Sequence, residues 1–172
     1  MESNPASAYT YSLAILPFHA KTMGKLSEIL QLAQQRSRDL DLAYEGALTP
    51  AEAWHVLQHA PGARLIDVRT HAELEWVGRI PQAVEIEWQN YPEKHLNPHF
   101  ISELKRAVDH ESLLLFICRS GFRSSDAAAV ATAAGFLDCY NVLEGFEGDR
   151  DADDRRNTVG GWRRAGLPWM QG

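Results

Sequence analysis

The chain has 172 residues, of which 45% are apolar, and 23 acidic residues against 17 Lys and Arg give a formal net charge of −6. A chain of this length forms one domain, which buries about 70% of the surface that the unfolded chain exposes. The acidic balance argues against a nucleic-acid or anionic-membrane binder, because both need a basic surface. Two cysteines are too few for a disulfide scaffold and fit a reducing compartment, so we expect a cytoplasmic protein.

The first 22 residues show neither helical nor strand periodicity. Their apolar run, 13–18, is far shorter than the roughly 18 to 20 residues of a spanning helix, and no basic residue precedes it as in a secretory signal. Residues 1–22 are therefore either a disordered leader or sequence upstream of a physiological start at Met23. Residues 25–42 carry apolar side chains at three-to-four spacing, which predicts an N-terminal helical arm over 23–44.

The rest of the chain, 45–172, is predicted to form a single α/β domain. Thr, Pro and Glu within 49–52 are a strong helix start, and the pattern 70–73 repeats the capping box and opens a short helix. Between them, 64–68 is typical of a short buried strand. Residues 83–88 alternate with period two, which indicates a half-covered strand near a sheet edge.

The second half continues the alternation of helix and strand. Residues 97–108 begin at Asn-Pro and place apolar side chains on one helical face. Five consecutive apolar residues, 113–117, predict a strand covered on both faces, the central strand of a parallel sheet. A helix capped by Ser124 and ended by Gly135 follows, and 139–143 is one more strand. The order predicts an α/β fold with an open parallel sheet of about five strands and helices on both faces.

The chemistry is predicted at the carboxyl end of the central strand, where sites form in open parallel sheets. Cys118 occupies that end, and a short glycine-containing loop, 119–123, leads from it into a helix N-terminus. Backbone N–H groups in such a loop, the helix terminus and the flanking Arg119 and Arg123 all favour a thiolate over a thiol. We therefore expect Cys118 to be a nucleophile. The alternative is a buried structural thiol. The two arginines and the glycine that directly follow Cys118 argue against it, because they are not typical of a core segment.

Residues 118–123, with the sequence CRSGFR, resemble the active-site loop of the rhodanese family. The similarity spans about 45–170 in the family's order, and two positions depart from it: Arg79 and Gln82 stand where the family usually has His and a second Gly. The other segments that carry the resemblance are 65–69, Glu73, 78–83, 141–146, 161–162 and 167–168.

The resemblance implies a sulfurtransferase that needs no cofactor. Cys118 would take the outer sulfur of a donor such as thiosulfate, become a persulfide, and pass the sulfur to cyanide or to a thiol, a protein thiol included. A persulfide anion needs several hydrogen-bond donors around its terminal sulfur, and the N–H groups of the loop can supply them. The residues expected to form this anion-binding loop are Arg119, Ser120, Gly121, Phe122, Arg123 and Ser124.

Four side chains have roles that the sequence leaves open. Either Arg119 or Arg123 binds the anionic donor. Asp67 and Arg69, at the end of a neighbouring strand, either brace the loop or form a structural cap and ion pair. Phe122 either shapes the mouth of the pocket or a partner contact, or anchors the loop by packing.

Two other functions compete with sulfur transfer. Cysteine-based phosphatases and arsenate reductases use a similar loop, but with Arg six residues after Cys, whereas Arg123 is five after Cys118 and Ser124 is sixth. The shorter loop makes a smaller cradle, suited to one sulfur atom. The second competitor is a sulfur-relay or protein-docking module with little catalysis of its own, which the helix 25–42 and Phe122 would serve.

Several weaker patterns predict no site. His55 and His59 lie four residues apart on a helix but have no evident third ligand, so we expect no metal site. No glycine fingerprint for a nucleotide is present. Cys139 begins its strand whereas Cys118 ends its own, so we expect the two thiols at opposite ends of the sheet and Cys139 in the core.

Overall fold

The computed structural model describes the backbone of residues 16–171 and the side chains of residues 23–171. Within that part of the chain it contains five helices and five strands, which confirms the α/β class. None of these helices is both long enough and apolar enough to cross a bilayer. In chain order the elements are α1 Leu16–Asp39, β1 Gly46–Leu48, α2 Pro50–His59, β2 Arg64–Asp67, α3 His71–Val77, β3 Val84–Glu85, α4 Phe100–Ala107, β4 Leu114–Ile117, α5 Phe122–Ala133 and β5 Cys139–Val142.

The five strands form one parallel sheet in the order β1-β5-β4-β2-β3. The predicted central strand is β4, and all four of its residues are buried. The predicted edge strand is β3, but its regular part has two residues instead of six. β3 stops at Glu85 because its partner strand, β2, ends at Asp67, and the residues after Glu85 have no regular strand beside them. Ile86 and Trp88 nevertheless donate N–H bonds to the carbonyls of Asp67 and Val68.

Helices cover both faces of the sheet, as the strand pattern predicted. Ile66 and Phe116 point into one apolar core with side chains of α4 and α5. Leu65 and Leu115, the alternate positions of the same strands, point into a second core with α1 and α2. The residues of β4 therefore have buried partners on both sides of the sheet, which is why this strand is apolar without interruption.

The helix predicted over 25–42 is α1, and it packs directly on the domain. Ala33 is fully buried in the second core. Arg36 donates to the carboxylate of Glu52, the N3 residue of the α2 capping box, at 2.6 and 2.9 Å. The helix ends at Asp39, earlier than predicted, because the chain turns at Asp41 with φ 52°. The alternatives for residues 1–22 concern a segment of which 1–15 lie outside the described residues, while the backbone of 16–22 belongs to α1.

Both predicted capping boxes are present, at the starts of α2 and α3. The predicted start of α5 is wrong. The helix begins at Phe122, and its cap is Gly121, not Ser124. Gly121 has φ 96°, a left-handed conformation that favours glycine, and this turn brings the chain from Cys118 into the helix within three residues. Ser124 consequently lies in the first turn of α5, with its side chain directed back at the loop.

Candidate active site

Cys118 lies where β4 ends and is almost completely buried, with 1% of its surface exposed. Its Sγ accepts the N–H of Gly121 at 3.2 Å and the hydroxyl of Ser124 at 3.3 Å. The Ser124 hydroxyl also lies 3.1 Å from the carbonyl oxygen of Gly121, so its single proton serves one acceptor at a time. The sulfur is thus held at the start of α5 by donors of its own loop.

The carbonyl groups of this loop are bonded to donors outside it. Phe146 N–H donates to the carbonyl of Cys118 at 2.8 Å, and Glu147 N–H donates to that of Arg119 at 2.9 Å. The Asn141 side chain on β5 donates to the carbonyl of Gly121 at 3.1 Å. Three carbonyl dipoles are therefore engaged by the segment that begins at β5, and the peptide planes of the loop are fixed.

Most backbone N–H groups of residues 119–124 remain free. Five of the six donate to no acceptor among the described residues, and they belong to the loop that begins at the buried Cys118 thiol. Fixed N–H dipoles of this kind stabilise negative charge without reorganisation when the charge appears. The five belong to Arg119, Ser120, Phe122, Arg123 and Ser124.

Residues 141–147, whose donors bind the carbonyl groups of the loop, are called the support segment here. Gly145 allows this segment to approach the loop closely. A Cβ atom at this position would lie 2.5 Å from the carbonyl oxygen of Cys118 and 2.6 Å from the nitrogen of Ser120. Any side chain there would force the loop and the segment apart. Gly145 belongs to the segment 141–146, which carries part of the resemblance to the rhodanese family. Its contact with Cys118, however, arises only when β4 and β5 pair.

The two loop arginines have different environments. Arg123 forms a two-bonded ion pair with Glu73 on α3, with distances of 2.8 and 2.7 Å, and both side chains are more than four-fifths buried. Burial alone would raise the pKa of Glu73, but the hydrogen bonds and charge of Arg123 outweigh it and lower that pKa from 4.5 to about 2. Arg119 is exposed and pairs with no described carboxylate.

Asp67 and Arg69 form a fully buried ion pair at 2.6 Å. Arg69 also donates to the carbonyl of Gly78 at 2.9 Å, and its guanidinium lies 3.9 Å from the ring centre of Phe146. Phe146 in turn donates its N–H to the carbonyl of Cys118. The pair therefore contacts the support segment of the loop, and none of its bonds reaches the loop itself.

A cleft of about 320 Å³ opens over Cys118. Loop residues, Thr70 and Glu73 form part of its wall, and Phe122 stands at its mouth with 73% of its surface exposed. The opposite wall is the segment 89–94, which our sequence reasoning missed because it has no periodicity and no motif. Its position after β3, at the carboxyl edge of a parallel sheet, is the signal that could have identified it. Its lining residues are Gln89, Asn90, Tyr91 and Lys94.

Cys139 lies away from this cleft. It pairs with Leu114 at the start of β4, four residues before Cys118, a distance of about 13 Å at ~3.3 Å per residue. Both cysteines are free thiols, and burial raises the pKa of Cys139 to about 11. Cys139 is a core residue, as predicted.

Comparison with known proteins gives one consistent result. The family model described as rhodanese-like domain matches residues 49–152, more than half of the chain. An uncharacterized protein of Rickettsia conorii is 34% identical over 125 residues, which are 69% of this chain and 92% of that protein. A thiosulfate sulfurtransferase, GlpE, of Actinobacillus succinogenes is 30% identical over 121 residues, covering 70% of this chain and 86% of GlpE.

A solved structure agrees with these sequence matches. The crystal structure of Rv0390 from M. tuberculosis has a TM-score of 0.69 and 43% sequence identity, and the superposition covers 75% of this chain and 99% of Rv0390. The polysulfide-sulfur transferase homodimer of Wolinella succinogenes, at 20% identity and a TM-score of 0.51, shares the fold.

Proposed function

The chain belongs to the rhodanese-like domain family, and from that premise we propose that it is a sulfurtransferase that carries sulfur as a persulfide on Cys118. The observation that carries the proposal is the loop that begins at the buried thiol. Its carbonyl groups are bonded to the support segment, and five of its N–H groups are free. Such a loop stabilises one negatively charged sulfur atom beyond Sγ. Thiosulfate sulfurtransferases among the relatives support the same chemistry.

In the first step the Cys118 thiolate attacks the outer sulfur of thiosulfate. A bond forms between Sγ and that sulfur, the sulfur–sulfur bond of thiosulfate breaks, and its electron pair leaves with sulfite. The product is a persulfide anion on Cys118, so the total charge is unchanged. The N–H groups of the loop hold the terminal sulfur, and the Ser124 hydroxyl, 3.3 Å from Sγ in the free protein, donates to the attacking thiolate.

In the second step an acceptor attacks the terminal sulfur of the persulfide. Cyanide leaves as thiocyanate, and a thiolate acceptor leaves as its own persulfide. In both cases the electron pair of the broken sulfur–sulfur bond returns to Sγ of Cys118. No proton or electron is needed from a cofactor.

Arg119 is the arginine that we assign to the anionic donor. It lines the cleft, is exposed, and has no carboxylate partner among the described residues. Arg123 is assigned to positioning, because its guanidinium is occupied by Glu73. Asp67 and Arg69 are likewise positioning residues, which act through Phe146. Gly121 supplies the turn and Ser120 a free N–H group.

The paired state of Arg123 also disfavours phosphatase or arsenate reductase chemistry. Such a reaction needs an arginine fork on a tetrahedral oxyanion. Here both terminal nitrogens of Arg123 bind Glu73 instead, and the sixth position after Cys118 is occupied by Ser124.

The location that we propose is the cytoplasm. This reducing compartment suits two free thiols and a persulfide intermediate.

Mass spectrometry of the reduced protein tests the proposal. We expect thiosulfate to add one sulfur atom to the peptide that contains Cys118, and cyanide to remove it as thiocyanate. The variant Cys118→Ser should gain nothing, and Cys139→Ser should load normally. A Cys118 thiol that alkylates but gains no sulfur from thiosulfate contradicts the assignment of this donor.

A further inference from the structure

Three exposed aromatic side chains lie in or beside the cleft over Cys118. Phe122 and Tyr91 line it, with 73% and 60% of their surfaces exposed. Trp76, 73% exposed, packs edge-on against Tyr91 with 6.4 Å between ring centres. Thiosulfate and cyanide are small anions that make no use of such a surface. We call these three residues the aromatic rim, and exposed apolar surface of this kind marks contact with a larger partner.

Three cations lie beside the aromatic rim and have no carboxylate within ion-pair distance in the described chain: Lys94, Arg119 and Arg156. Lys94 and Arg119 line the cleft. Arg156 lies near Arg119, because it donates to the carbonyl of Gly148, and the preceding residue, Glu147, donates its N–H to the carbonyl of Arg119. We call these three residues the cationic rim, and in a protein of net charge −6 they place positive charge without an ion-pair partner at the site.

The two rims extend beyond the cleft. Trp76 and Arg156 do not line it, whereas Tyr91 and Arg119, their neighbours, do. A small thiol in the cleft would leave both outer residues in water. A polypeptide laid across the mouth covers them, and aromatic residues and arginine are the types that contribute most at protein interfaces.

We propose that the aromatic and cationic rims bind an acidic polypeptide segment whose cysteine enters the cleft and accepts sulfur from Cys118. The proposal rests on the proposed function and names its acceptor class. The acceptor thiolate attacks the terminal sulfur of the Cys118 persulfide, a new sulfur–sulfur bond forms on the acceptor, and the old bond's electron pair returns to Sγ. The acidic residues of the segment meet the cations, and its apolar residues meet the rings.

Sulfur transfer to synthetic peptides tests this assignment. The protein is first loaded with thiosulfate, and its discharge is followed with an acidic cysteine peptide, a basic one of the same apolar residues, free cysteine, and cyanide. We expect the acidic peptide to discharge Cys118 about ten times faster than the basic one at low salt. The difference should shrink at high salt, because exposed charges are screened beyond roughly 10 Å at 0.1 M.

Two variants outside the cleft locate the contact. Trp76→Ala and Arg156→Gln should each slow discharge by the acidic peptide about three- to tenfold and leave discharge by cyanide unchanged. Leu137→Ala and Arg106→Gln are matched controls, since both residues are exposed and neither lines the cleft. We expect the controls to have no effect on either acceptor.

Several results would overturn the proposal. Equal rates for the two peptides would exclude charge recognition, and equal rates for free cysteine and the acidic peptide would indicate a small acceptor. An unaffected Trp76→Ala variant would exclude the aromatic rim. Failure to load sulfur at all would contradict the proposed function instead. In that case docking is still measured, by fluorescence anisotropy of a labelled acidic peptide with Ser in place of Cys.

Discussion

The ion pair between Glu73 and Arg123 should make the stability of this protein depend on pH below 5. Replacing Glu73 by Gln removes the charge and keeps an oxygen that can still accept the Thr70 N–H at the start of α3, which is now bonded at 3.0 Å. The change therefore isolates the charge of the carboxylate. Arg123 remains buried with no opposite charge beside it.

The magnitude follows from the pKa of Glu73, which the fold lowers from 4.5 to about 2. A difference of this size corresponds to about 3 kcal/mol of unfolding free energy. Because the folded pKa is the lower one, this contribution is fully present above pH 4.5. It is lost as the pH falls from 4.5 through about 2, where the carboxyl becomes protonated in the folded protein as well.

Urea unfolding of the natural protein and of Glu73→Gln, at several pH values between 7 and 2.5, measures the difference. We expect the variant to be about 3 kcal/mol less stable at pH 7 and the gap to narrow steadily below pH 4.5. Glu75→Gln is the matched control, because Glu75 lies on the same helix and pairs with Arg79 but is 44% exposed. Its effect should stay below about 1 kcal/mol. A gap for Glu73→Gln that is small and independent of pH would refute this reasoning.

Three further predictions concern the loop and the second thiol. Gly145→Ala should abolish sulfur loading on Cys118 and lower the melting temperature, because its Cβ would lie 2.5 Å from the Cys118 carbonyl oxygen. Gly62→Ala, at a positive φ but with open space around it, is the control. Equal effects of the two substitutions on loading and melting temperature would contradict this prediction. Arg119→Gln should raise KM for thiosulfate about tenfold at unchanged melting temperature, as expected for the loss of one charge-assisted hydrogen bond; an unchanged KM in steady-state assays would remove Arg119 from donor binding. Cys139 should resist alkylation in the folded protein at pH 8, since burial raises its pKa to about 11; peptide mapping that finds it modified as fast as in urea would contradict this.

The local patterns were sufficient for much of the fold. The apolar run 113–117 predicted β4 as the central strand, since only a strand covered on both faces needs every side chain apolar. The capping boxes at Thr49 and Thr70 predicted the starts of α2 and α3, because the bonds that make them lie within four residues. Cys118 was predicted as the reactive residue from its position after that strand and from the loop that follows it.

Elements without a local pattern were missed or misplaced. β1 has three residues, too few for a period, and it exists because β5 and α1 pack beside it. The start of α5 was placed at Ser124, because serine is a good cap. The left-handed turn at Gly121 instead begins the helix earlier and leaves Ser124 to face Cys118.

The sequence by itself determined most of the elements and which strand is central, and it predicted Cys118 as the nucleophile, because each of these depends on the order of residues within one short segment. Tertiary structure alone decided how the site is completed. Glu73 neutralises Arg123 across 50 residues of chain, and Gly145 meets the loop only when β4 and β5 pair. The segment 89–94 covers Cys118 because the parallel strands end at one edge. A contact between two distant segments produces no periodicity or motif in the sequence of either segment. It can therefore be identified only in the folded structure, where the sheet brings the two segments together.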